Sequence, residues 1–210
     1  MATYCALHVR TSDLARVVAE LREWLASVAE APVSVESEQP WPPVYDQLFR
    51  TGSTVPNLFA AAPQGATWIV AHFNCFSDLA ELANRLSERL DTRVIVIHAQ
   101  SVSDAYLLAV HENGIPRRVL EYGDRLTRNE GAPFEFEGEI FGVDDDELPP
   151  EDELTVGHAE VQEICARLGL SIWDQQEAVD PPDRWTVLRV SDDARVAQPG
   201  FFERLRRLRR

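Results

Sequence analysis

Residues 3–10 read TYCALHVR and residues 12–15 read SDLA; at 66–74 the chain reads ATWIVAHFN, and SDLA returns at 77–80, a constant shift of 65. Each opening stretch is rich in β-branched, aromatic and small apolar residues and predicts a strand. After the first Ser-Asp pair the apolar residues fall at Leu14, Val17, Val18, Leu21 and Leu25, and after the second at Leu79, Leu82, Ala83, Leu86 and Leu90. Both sets have the same spacing, which lines one face of an α-helix. Residues 3–30 and 66–91 therefore read as a duplicated strand-then-helix unit. Ser12-Asp13 and Ser77-Asp78 are expected to cap the two helices, a side-chain oxygen taking up an orphan amide and the carboxylate meeting the positive helix end.

Outward from these units the pattern becomes that of a sheet. Arg93–Gln100 reads as a third strand; after Ser103-Asp104 the residues Tyr106, Leu108 and Val110 alternate with Leu107 and Ala109. Asn113-Gly114 predicts a tight hairpin turn into Arg118–Tyr122, because both residues tolerate positive φ, and Pro116 marks an edge at that end. Phe134 and Phe136, alternating with Glu135 and Glu137, suggest a further strand, and Trp185–Val190 a last one. Val161, Ile164, Cys165 and Leu168 mark a short helix that Gly169 would cap. The expected fold is α+β: a mixed β-sheet of about five to seven strands, two main amphipathic helices packed on one face, and a short C-terminal helix. Residues 1–190 form one domain in this reading, with an acidic loop at 137–154, and 191–210 form an Arg-rich tail.

The chemistry this chain excludes is set by its cations. All twenty basic residues are Arg, so a Walker lysine, a Schiff-base lysine and a kinase-type lysine are out of reach. Exclusive use of Arg also fits a GC-rich, bacterial genome. Cys5, Cys75 and Cys165 are widely spaced and odd in number, which suits free thiols in a reducing cytoplasm. No apolar run approaches the about 20 residues of a membrane span, and the first residues lack the pattern of a secretory signal. The expected location is cytoplasmic, without a membrane.

Net charge is −15, and five Arg sit in the last ten residues, so residues 1–200 carry −19. Such a field repels nucleic acid and attracts basic proteins. Seven of the ten residues from Asp144 to Glu153 are acidic, and this run is expected to be an exposed, mobile loop. Asp144, Asp145, Asp146 and Glu147, with the aromatic Trp41 and Tyr45 of the Pro-rich connection, are the candidate partner-binding residues.

A competing set lies at strand ends. His8, His72 and His98 each stand near the close of a predicted strand, and if those strands ran side by side in one direction the three imidazoles would suit a divalent metal. Cys75 follows His72 by three residues, so a thiol nucleophile with His72 or His98 as base is a candidate catalytic set. Separate hydrogen-bonded histidines and a buried cysteine are the structural alternative. No cofactor motif is present. Two functions follow as expectations: a noncatalytic acidic protein that neutralises a basic protein partner, as a bacterial toxin immunity protein does, or a small hydrolase or metal-dependent enzyme. A scaffold that docks through its Arg-rich tail is a third.

Overall fold

A computed structural model describes residues 3–40, 48, 55–75, 79–100, 105–123, 126–142, 156–170, 172 and 184–191. The elements in chain order are β1 (Thr3–Val9), α1 (Leu14–Ala29), β2 (Val33–Pro40), β3 (Leu58–Gln64), β4 (Trp68–Phe73), α2 (Ala80–Arg89), β5 (Val94–Gln100), β6 (Ala105–Glu112), β7 (Ile115–Tyr122), β8 (Leu126–Glu130), α3 (Glu137–Phe141), α4 (His158–Arg167) and β9 (Arg184–Val190). The strands form one nine-stranded sheet in the order β2-β9-β3-β4-β1-β5-β6-β7-β8.

This corrects the expected mixed sheet of five to seven strands with two main helices: among the described residues there are nine strands and four helices, and every hydrogen-bonded strand pair is antiparallel. Two strands lie where the sequence reading placed only a connection. In β3, LFAAAPQ, the first five residues are buried whichever face they point to, so no alternation marks the strand. β2, VSVESEQP, carries only two β-branched residues, Val33 and Val35, so its strand signal is weak. No parallel ladder forms because the helical crossovers skip strands, α1 passing three between β1 and β2 and α2 one between β4 and β5. α2 carries the chain from β4 to β5, which run the same way with β1 between them. Parallel strands are thus present but never neighbours, and only neighbours share a ladder.

α1 and α2 bury their apolar stripes on the same face, where Leu21, Leu25, Leu82 and Leu86 meet Leu7, Val9, Ala71, Val94 and Val96. The helices run antiparallel, Arg16 near the start of α1 donating to the Arg89 carbonyl near the end of α2 at 2.6 Å. Arg85 and Arg89 of α2 join Glu20 and Glu23 of α1 at 2.6–3.4 Å. Asp13, not Ser12, caps α1, its Oδ1 accepting from Arg16 N at 3.0 Å. The Ser77-Asp78 and Ser103-Asp104 pairs lie outside the described residues. α2 instead follows Leu79, which is left-handed at φ 46° and makes no side-chain cap.

The opposite face is covered in two parts. Over β5–β8, Val161, Ile164 and Cys165 of α4 pack on Ile95, Ile97, Leu108, Val110 and Leu120. Over the other half, Ala6, Ala60, Ala62, Val70, Trp185 and Val187 cluster with Leu48. The strand expected at Phe134 and Phe136 is absent. The two rings stack at 5.2 Å as the chain turns into α3, and the strand there is β8, upstream. The start of the expected acidic loop forms α3, whose first residue Glu137 is fully buried while Glu139 is exposed. The Glu137 carboxylate meets Arg118, also fully buried, with Nη2 donating to Oε2 at 2.6 Å and Nε to Oε1 at 2.9 Å. Residues 143–155, and the tail beyond Ser191, lie outside the described residues. Gly169 is left-handed after α4, at φ 79°, as its capping role requires. No described helix is long and apolar enough to cross a membrane.

Candidate functional site

Strand register decides which candidate residues meet. Ala6 faces His72 across β1–β4, and His8 stands two residues along the same strand, so His8 and His72 share the face opposite α1 and α2. Cys5 faces His98 across β1–β5, which puts His98 on the helix-covered face. The three histidines expected to surround a metal are thus divided by the sheet. Among the described residues no group of three or more His, Cys, Asp or Glu is placed to hold a metal ion.

His8 and His72 instead belong to an aromatic and polar cluster with Tyr4, Gln64 and Trp185. Tyr4 and His8, four residues apart on β1, stack at 6.1 Å with their planes 14° apart, and the Tyr4 hydroxyl lies 2.9 Å from His8 Nε2. Nδ1 of His8 lies 2.9 Å from Gln64 Oε1 at the end of β3. An amide oxygen only accepts, so Nδ1 carries the proton, Nε2 is the acceptor, and Tyr4 donates. The His72 ring meets Tyr4 edge-on at 5.0 Å and Trp185 at 5.4 Å.

Burial fixes the charge of this cluster. It lowers His8 to a pKa of about 4, against the smaller opposing effect of the Gln64 bond. His72 is lowered to about 3, by burial first and by neighbouring His8 second, with a backbone bond at Cys5 opposing. Burial also pushes the Tyr4 phenol well above its ordinary value, with Cys165 and Cys5 adding to the rise. A relay that activates a tyrosine needs an imidazole able to hold the transferred proton. Here imidazolium and phenolate are both disfavoured, so at neutral pH the chain Tyr4–His8–Gln64 is an uncharged structural linkage.

Cys75 is buried in the helix-side cluster, away from the face that carries His72. Neighbouring Cys5 is pushed up to about 12 by burial, with Cys75 adding to it, and Cys165 reaches about 12 by burial alone. Cys5 and Cys165 are therefore thiols, not thiolates, at neutral pH. The sheet divides His72 from the other two members of the expected set, whereas Cys75 and His98 share the face covered by α1 and α2, where the Phe73 ring lies 5.3 Å from that of His98. Asp144, Asp145, Asp146, Glu147, Trp41 and Tyr45 lie outside the described residues.

Sequence reasoning missed Tyr4, Gln64 and Trp185 as partners of the histidines, and it missed Arg118 and Glu137. Tyr4 at four residues from His8 was the available signal, since positions i and i+4 of a strand share a face. Elsewhere an open polar cleft of about 400 Å³ is lined by Arg10, Asp91, Thr92, Arg93, Glu112 and Asn113. Its charges are largely self-compensating, Arg93 Nε lying 2.6 Å from Glu112.

No protein-family model, curated protein or solved structure matches this chain.

Proposed function

We propose that this chain is a noncatalytic acidic binding protein that neutralises a basic protein partner, as an immunity protein neutralises a bacterial toxin. The observation that carries the reading is charge: 35 acidic residues stand against 20 Arg, and the surplus is concentrated before the basic tail. A field of this sign accelerates encounter with a cationic surface and rejects phosphate backbones. It is supported by the sheet that divides His72 from His98 and by the burial that keeps His8 and His72 neutral, which weigh against the three-histidine metal set and the full set of His72, Cys75 and His98. The acidic run beginning at Asp144 is the segment best suited to guanidinium groups of the partner.

The test is titration of the purified chain against strongly basic secreted ribonuclease and deoxyribonuclease domains, including the product of any adjacent gene, at low and high salt. The expected result is a stoichiometric complex that inhibits one of these nucleases and weakens steeply with salt. Replacing Asp144, Asp145 and Asp146 together by Asn should weaken it at least tenfold. The reading is overturned if no basic domain binds, or if the neutralised variant binds as tightly.

A further inference from the structure

We propose that the open edge of β2 receives an extended segment of the basic partner as an added strand, with Arg or Lys alternating with apolar residues. This rests on the acidic-binder reading above and names the surface that reading leaves unspecified. β2 is the terminal strand of the sheet, and its residues from Ser34 to Glu38 are exposed on both faces.

The hydrogen-bond pattern shows which main-chain groups the edge offers. Ser191 N donates to Pro32 O at 3.0 Å, while Val190 N turns away to Asn57 O. Val33 faces Val190, Ser34 faces Arg189, Val35 faces Leu188 and Glu36 faces Val187. In an antiparallel pair, bonded and non-bonded positions alternate. Ser34 and Glu36 therefore bond to β9, and the N–H and C=O of Val33 and Val35 point outward. A strand laid beside β2 would satisfy them, which is how extended peptides add to sheet edges.

Side chains specify what that strand carries. Val35 lies on the helix-covered face, in register with buried Leu188, yet is 39% exposed, and Val28 in the last turns of α1 is 38% exposed. Val28 continues the stripe of Leu21 and Leu25, so the apolar layer runs past β2, the last strand of the sheet among the described residues. An apolar residue of the added strand would complete it. On the other face Glu36 carries a carboxylate that no described residue pairs, and a neighbouring Arg or Lys would meet it. The same charge disfavours a second copy of this chain as the occupant. The bulge between Glu36 and Gln39, with Glu38 at φ 63°, and Pro40 beyond it, end the flat edge and limit the match to a short segment.

The probe is an eight-residue peptide of alternating Arg and Val, compared with a peptide of the same composition in which four Arg precede four Val. Affinities are measured by calorimetry, with amide hydrogen exchange on the full chain. Binding of the alternating peptide should exceed that of the block peptide at least tenfold and should slow exchange at Val33 and Val35. Val35→Pro removes one outward N–H without touching a β9 bond, which an edge strand tolerates, and should abolish the preference. Val35→Thr, which keeps the N–H, should retain most of it, and Glu36→Arg should weaken binding. Equal binding of both peptides, or undiminished preference in Val35→Pro with its fold intact by circular dichroism, overturns the edge proposal while leaving the acidic-binder reading standing. Failure of both peptides to bind, at low salt, counts against both. A dimer of the chain alone that Val35→Pro dissociates would assign the edge to self-association and also overturn it.

Discussion

Acid should unfold this protein through two buried imidazoles. His8 and His72 are buried in the cluster beneath Tyr4 and Trp185, with pKa values lowered to about 4 and about 3. In the unfolded chain both return to about 6.5. Above that value neither state binds the protons, and the full contribution to stability is present. As pH falls from about 6.5 toward about 4, the unfolded chain takes up protons that the folded one refuses, so stability declines. Below about 3 both states are protonated and these groups cause no further loss. Each unit of pH inside the window is worth about 1.4 kcal/mol per histidine. Between pH 7 and pH 5 each contributes a loss of about 2 kcal/mol, or about 4 kcal/mol together, against a domain stability of about 5–15 kcal/mol.

An opposing effect comes from the net charge of −15, because moving toward the pI of about 4.7 relieves self-repulsion. The two are separable by substitution. Urea unfolding at pH 7 and pH 5 should be compared for the wild type and for His72→Phe, which keeps an aromatic ring between Tyr4 and Trp185. The wild type should lose more stability over that interval than the variant, by about 2 kcal/mol. Identical pH dependence in the two proteins would refute the assignment of His72 as a buried neutral base.

Two further outcomes test the packing on which the sheet depends. Glu137→Ala leaves the Arg118 guanidinium buried without its carboxylate and should cost about 3–5 kcal/mol in urea unfolding, whereas Arg118→Met combined with Glu137→Leu should recover much of the loss. Gly131 stands at φ 84°, and a Cβ there would come within 1.9 Å of the Arg117 carbonyl oxygen. Gly131→Ala should therefore lose more than the about 1–3 kcal/mol of a left-handed residue alone, with faster amide exchange in β8 as the local readout. A variant as stable as the wild type would show that the turn after β8 relaxes freely.

The uneven legibility of this chain follows from the range over which each signal acts. The stripes of α1 and α2 were readable because a helix repeats its contacts every three or four residues, all within one short segment. Gly169 and Asn113-Gly114 were readable because left-handed φ is a local demand, and Asn113 and Gly114 adopt it at 53° and 79°. β3 was not, since a strand buried on both faces by small residues has no period to detect. The grouping of the histidines lay further out of reach, because it depends on pairing between strands distant in sequence. With Cys5 opposite His98 the sheet separates His98 from His8, whereas a slip of one residue between β1 and β5 would have put them on the same face. The apolar overrun at Val28 and Val35 has the same origin. Each helix and strand pattern is complete in itself, and only the order of strands shows that β2 is the last described strand on its side, with part of that layer still facing water.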